Sequence, residues 1–236
     1  MIDSFVAVDL ETTGLSPEAN EIIEIGAVRV RNGKVVARMS QLINPNVPLT
    51  DKVRELTGIQ DEMLITQPVW SEVVDEVEEF LGDDILLGHN IKFDYSFLKQ
   101  NFYKVKKKFE HDTLDTLYLS RMLLSELPSK SLGNLCNHYG IVNECAHRAV
   151  SDAIATMELY QVIAAEHEKN HEELFLPQKV NYKVKKDEPI TARQKNYLID
   201  LIKYHKINKV QDVDILTKSE ASRLIDKIIF QYGRMQ

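Results

Sequence analysis

Residues 22–43 constrain the fold more than any other stretch of the chain. Two strand-like segments, 22–30 and 34–43, are separated by Asn32-Gly33. That dipeptide best tolerates the left-handed backbone of a two-residue hairpin turn, so the two segments are expected to pair antiparallel. A further apolar segment, SFVAVDLE at residues 4–11, precedes them and supplies a third strand. A short helix over 51–56 follows. After Pro68 the period changes: Val69, Val73, Val77 and Phe80 or Leu81 recur at helical spacing, with Gly82 just past the end. Residues 84–88 read as a fourth strand, and amphipathic patterns cover 93–103, 113–124, 131–138 and 150–168. Three early strands followed by alternating helix and strand predict an α/β fold, a mixed sheet flanked by helices.

The rest of the chain reads differently. Residues 169–189 are polar and lysine-rich without periodicity, and are expected to link a first domain, 1–168, to a small basic helical domain, 190–236. In the latter, Thr191 with Gln194 and Thr217 with Glu220 have capping-box spacing and predict helices over 192–204 and 218–230. The net charge of -7 hides an asymmetry. Residues 177–236 carry 13 Lys and Arg against 7 Asp and Glu, while residues 1–176 carry 16 against 29. An acidic first part does not hold a polyanion by its overall field; it needs bound cations or local basic patches. The basic part is either a nucleic-acid handle or a solvated lysine-rich face. No apolar run reaches the roughly 20 residues that span a bilayer, which points to the cytoplasm and away from a membrane. Cys136 and Cys145 match no metal motif and are expected to be small buried hydrophobes.

Three clusters carry chemistry. Asp9 and Glu11 are two apart at the end of an apolar strand, so both project from one face. Two carboxylates about 4 Å apart repel by about 4 kcal/mol even at an effective dielectric of 20. If they are buried, protonation, basic neighbours or a divalent cation must compensate. The second cluster, LLGHNIKFDYSFL at 86–98, places Asp94 in the first turn of a helix, where the helix dipole favours a carboxylate; His89 reads as a loop-orienting residue. The third, HRAVSDAIATMELY at 147–160, places His147 before a helix and Asp152 near its start. Individually these are ordinary caps and dipole partners. Jointly they place four carboxylates and a histidine at strand ends and helix starts that an α/β fold can bring together. Such a set suits hard cations with oxygen ligands, magnesium or manganese, and a two-metal clamp on a phosphodiester. Histidine, with an unperturbed pKa of about 6.5, suits proton uptake from an attacking water, which makes His147 the candidate base.

The segments FVAVDLETTGL, LLGHNIKFDYSFL and HRAVSDA, in this order, resemble the DEDDh exonuclease superfamily. The likeness is greatest to the proofreading epsilon subunit and the polymerase-integrated exonuclease domain of bacterial replicative DNA polymerases. The resemblance spans residues 3–168 and implies a ribonuclease H-like fold with a five-stranded mixed sheet. It also implies that Asp9, Glu11 and Asp152 bind one divalent cation (Mg2+ or Mn2+), that Asp9 and Asp94 bind a second, and that His147 is the general base. By the same resemblance Thr12, Thr13, Gly14 and Leu15 hold the terminal nucleotide, Thr57, Gly58 and Ile59 pack near the terminal base, and Asn90 and Phe93 support the second motif. Asp115-Thr116-Leu117 resembles a structural helix start.

The expected activity is hydrolysis of DNA from its 3′ end to nucleoside monophosphates in proofreading or repair, single-stranded ends being preferred. One alternative is a 3′-to-5′ exoribonuclease, because metal chemistry does not distinguish the two sugars. A second is a non-catalytic accessory tethering a polymerase or DNA. EELFLP at 172–177 reads either as a sliding-clamp peptide or as a helix end docking Leu174 and Phe175 on the core.

Overall fold

The computed structural model describes residues 2–143, 147–186, 188–207 and 212–235. The chain divides into two compact units, Met1–Val184 and Lys185–Gln236.

The first unit is built on strands β1 (Phe5–Thr12), β2 (Ile22–Arg31), β3 (Lys34–Leu42), β4 (Leu86–Gly88), β5 (Asp112–Asp115) and β6 (Gln178–Lys179). Its helices are α1 (Asp51–Thr57), α2 (Asp61–Leu64), α3 (Trp70–Leu81), α4 (Ile91–Lys104), α5 (Thr116–Leu123), α6 (Leu132–Tyr139) and α7 (Ala149–His167). The sheet order is β3-β2-β1-β4-β5-β6. β1, β2 and β3 pair antiparallel, β1, β4 and β5 pair parallel, and β6 runs antiparallel on β5. This is the mixed ribonuclease H-like sheet flanked by helices, with six strands instead of five. The hairpin forms as its turn dictates: Asn32 and Gly33 both take positive φ, 50° and 72°.

Two departures have a local cause. β5 occupies the start of a segment whose pattern reads as one continuous helix, because Thr113 and Leu114 fall in phase with the apolar positions of α5. The added strand, β6, has only two polar residues and leaves no periodic signal. Its hydrogen bonds, among them Thr113 Oγ1 to the Gln178 carbonyl at 2.9 Å, come from the edge of β5. The segment expected to be a linker therefore packs largely on the first unit. Phe175 is buried beside Tyr160, and Tyr182 donates from its hydroxyl to Gln100 at 3.0 Å. EELFLP accordingly docks Phe175 into the core.

Alternation along β1 sorts two cores. Val6, Val8 and Leu10 face Trp70, Val73 and Val77 of α3 and Phe97 and Phe102 of α4. Phe5 and Ala7 face Tyr160 and Ile163 of α7, with Val28 and Val30 from β2 on the same side. The odd-numbered row of β1 continues past Ala7 to Asp9 and Glu11, so both carboxylates emerge on the side covered by α7. Cys136 is buried, as expected of a small hydrophobe; Cys145 lies outside the described residues.

The second unit holds α8 (Ala192–Tyr204) and α9 (Lys218–Tyr232). Both begin with the capping boxes read from the sequence: Gln194 N donates to Thr191 Oγ1, and Glu220 N to Thr217 Oγ1, each at 3.2 Å. Leu198, Leu201, Leu216, Ala221 and Ile228 form its core. Among the described residues, no helix is long and apolar enough to cross a membrane.

Candidate active site

The site forms where β1 ends and two helices begin. Asp94 lies in the first turn of α4 and is buried; its Oδ1 accepts from Leu10 N at 3.0 Å, which ties the helix start to the strand between Asp9 and Glu11. Asp152 lies in the first turn of α7 and is also buried. Both its oxygens are held: Oδ1 accepts from Asn143 Nδ2 at 2.6 Å and Oδ2 from His147 N at 2.9 Å. His147 occupies an exposed turn with φ of 66°, just before the helix that carries Asp152. One ligand atom from each of Glu11, His147 and Asp152 lies within 4.8 Å of the others.

Asp9 joins this cluster electrostatically. Its carboxyl is pushed well above the ordinary range by burial and by repulsion from Asp94, Asp152, Glu11 and Glu24. Burial and then Asp152, Glu24 and Asp94 push Glu11 up to about 8, against the opposing pull of Arg148. Burial also pushes Asp94 up to about 8, although hydrogen bonds from its own backbone and from Leu10 favour the charged form. Carboxyls pushed up by burial and by acidic neighbours mark a site with too little positive charge of its own. Oxygen-rich, desolvated and short of positive charge, the cluster fits a hard divalent cation.

The neighbouring residues divide into exposed and internally committed groups. The turn after β1 is closed by its own bonds: Thr12 Oγ1 donates to the Gly14 carbonyl at 2.6 Å, and Thr13 Oγ1 accepts from Glu21 N at 2.9 Å. Leu15, 84% exposed, projects from it. Thr57 and Ile59 are buried with Ile23, Leu49 and Val53, so the face that their loop offers outward consists of Gly58 and Leu56, the latter 55% exposed. Asn90 takes φ of 71° and donates its N–H to Asp115, which also caps α5. Phe93 stacks on Phe97. His89 is fully engaged, Nδ1 with Thr116 Oγ1 at 2.9 Å and Nε2 with the Lys130 carbonyl at 2.8 Å, which matches a loop-orienting role.

Three residues at the site escape a motif-based reading: Glu24, Gly26 and Asn143. Glu24 had a signal, a lone carboxylate inside the apolar run IIEIGAV, since a buried charge demands a partner. Asn143 had none.

Comparison with known proteins follows this geometry. A family model described as exonuclease matches residues 6–160. The chain is 42% identical over 161 residues to the PolC-type DNA polymerase III of Halalkalibacterium halodurans, a match covering 67% of this chain and 11% of that protein. It is 36% identical over 164 residues to the DNA polymerase III subunit epsilon of Aquifex aeolicus, covering 69% of this chain and 81% of that subunit. This chain thus spans about a tenth of the PolC-type relatives and most of the epsilon relative. Among solved structures, the fold is shared with E. coli exonuclease I in complex with a dT13 oligonucleotide, with a TM-score of 0.67 at 18% identity, over 72% of this chain and 43% of that one. It is also shared with exonuclease X in complex with 5′ overhanging duplex DNA, with a TM-score of 0.59 at 24% identity, over 72% and 96%. The matched segment contains all four clustered carboxylates and His147, and the chain belongs to the exonuclease family.

Proposed function

We propose that this chain is a metal-dependent 3′-to-5′ exonuclease that releases nucleoside monophosphates from single-stranded DNA ends in replication proofreading or repair. The observation that carries this reading is the convergence of Asp9 and Glu11 from β1, Asp94 from α4 and Asp152 from α7 on one desolvated spot beside an exposed His147.

Asp9, Glu11 and Asp152 would hold one divalent cation, and Asp9 with Asp94 a second. Bound there, such cations supply Lewis-acid stabilisation of the charge that develops on a phosphodiester during displacement. The chain's own groups do the rest. Asn143 and the His147 N–H orient Asp152, and the Leu10 N–H orients Asp94, so the ligands are set before any substrate arrives. The His147 side chain, reachable from solvent, takes the proton of the attacking water. Leu15, with Leu56 and Gly58, offers the exposed apolar and backbone surface for the terminal nucleotide.

DNA is favoured because the relatives are DNA polymerase III proteins and both solved structures described above hold DNA. The test is parallel digestion of matched single-stranded DNA and RNA oligonucleotides carrying a 5′ label. A ladder shortening from the 3′ end, with mononucleotide release and faster turnover of DNA, is expected. Internal cleavage, or RNA turnover faster by an order of magnitude, would sink the assignment.

A further inference from the structure

The Glu24 side chain is 0% exposed and lies in the same side-chain row as the catalytic carboxylates. Across the β1–β2 pairing, Glu11 faces Glu24 and Asp9 faces Gly26. Like charges directly opposite on one sheet face repel. The presence of Glu24 therefore works against the cluster unless it performs another task.

Its contacts show that task. Arg148 donates Nη2 to Glu24 Oε1 at 2.9 Å and Nε to both oxygens at 3.2 Å, and Ala149 N donates to Oε2 at 3.3 Å. Arg148 is the N-cap residue of α7, adjacent to His147 and four residues before Asp152. The planar guanidinium fork fixes direction as well as distance, and Glu24 also satisfies one of the open N–H groups of the helix start. Gly26 seats the same turn: a Cβ there would lie 2.0 Å from Val150 N and 2.1 Å from the Ala149 carbonyl carbon. Backbone at that distance does not give way, so the bare glycine sets how closely α7 approaches β1.

We propose that the Glu24–Arg148 pair, seated over Gly26, is a positioning device that holds His147 and Asp152 against Glu11 in the geometry needed for cation binding and turnover. Both residues act through their neighbours. Only Glu24 is buried, Arg148 being 41% exposed, and the cost of desolvating Glu24 offsets much of the attraction, so the return of the pair lies in direction more than in stability. The role in turnover rests on the exonuclease reading above; the role in cation binding does not.

The experiment compares wild type, Arg148→Met, Glu24→Gln and the double variant Glu24→Met/Arg148→Met in the full chain. Each is assayed for melting temperature, for Mn2+ affinity by calorimetry, and for kcat and KM of mononucleotide release from a single-stranded oligodeoxynucleotide. Arg148→Met strands a buried carboxylate and is expected to melt low. The double variant removes both charges and is expected to recover most of that loss, while Mn2+ affinity and kcat stay about 10–100-fold down and KM moves by less than about threefold. Should the double variant not fold, Glu24→Gln, which keeps the shape of the site, is expected to show the same loss in Mn2+ affinity and kcat with KM unchanged. Wild-type Mn2+ affinity and kcat in any folded variant overturn the proposal. A wild type that binds Mn2+ but releases no mononucleotide rejects the exonuclease reading instead, and the Mn2+ titrations of the variants still decide the positioning role.

Discussion

The end of β1 and the small C-terminal unit handle charge in opposite ways. At the end of β1, carboxylates share a desolvated spot, and two of them are pushed to about 8, Glu11 by burial and its acidic neighbours and Asp94 chiefly by burial. In the C-terminal unit two surface lysines meet opposite signs, Lys195 with Asp214 and Lys218 with Glu188. Each of these pairs is complete as it stands and contributes little. The carboxylates at the end of β1 carry a cost that bound protons or a cation would relieve, which marks them as a candidate functional site.

The sharpest way to break this contrast is to remove a carboxylate. Asp9→Asn or Asp152→Asn is expected to lower mononucleotide release by about 10⁴-fold or more, equivalent to about 5 kcal/mol of barrier. With a chelator present, Asp9→Asn is also expected to melt above wild type, because it removes a carboxyl that folding must bury against its preference for the charged form. A lower melting temperature would mean that Asp9 is a structural residue whose charge the protein itself compensates.

His147→Gln separates base from ligand. The side chain is exposed, so stability is expected to stay within about 0.5 kcal/mol, while kcat falls by about 10²–10⁴-fold with KM nearly constant. If Mn2+ affinity falls in parallel, His147 is a cation ligand, which its proximity to Glu11 and Asp152 allows.

The metal-free protein offers a test by pH. A carboxyl whose folded pKa lies above its unfolded value keeps its proton in the folded state where the unfolded chain releases it. Folding then takes up protons, and stability falls as pH rises from about 4 towards the raised values. With Glu11 and Asp94 both at about 8, the melting temperature of chelated protein is expected to drop between pH 5 and pH 8. Glu11→Gln should shrink the slope, and excess Mn2+ should reverse it by favouring the deprotonated ligands. A flat profile in chelator would show that these carboxyls are not held above their ordinary range.

The same contrast explains what the sequence makes legible. The hairpin at Asn32-Gly33, α3, α7 and both capping boxes are local patterns, and each forms where its residues require. β5 and β6 take their identity from a neighbouring strand, so a short strand that runs into a helical pattern and two polar residues give no warning. At the site, Asp94 and Asp152 read singly as helix-start carboxylates, and that reading stays true: Asp94 does tie α4 to Leu10 N. What no single stretch contains is the excess of charge when the three clusters meet. Glu24 shows the limit most plainly. Its burial is foreseeable from the apolar run around it, but its partner Arg148 is 124 residues away and becomes apparent only through the fold.

The smallest expected effect lies in the C-terminal unit. Lys195→Ala breaks the ion pair with Asp214, whose side chains are 38% and 66% exposed. Solvent screens such a pair and holding two long side chains together costs entropy, so its worth is about 0–1 kcal/mol. Hydrogen exchange of the α8 amides in the full chain reads this locally, as the opening free energy of one helix. The variant is expected to lower that free energy by less than about 1 kcal/mol, and raising the salt to about 1 M, where screening acts within about 3 Å, should erase most of the difference. A loss of about 3 kcal/mol or more, persisting in high salt, would place this pair in the class of Glu24 with Arg148. The contrast between a charge arrangement that is complete in itself and one that awaits a ligand would then fail from its weaker side.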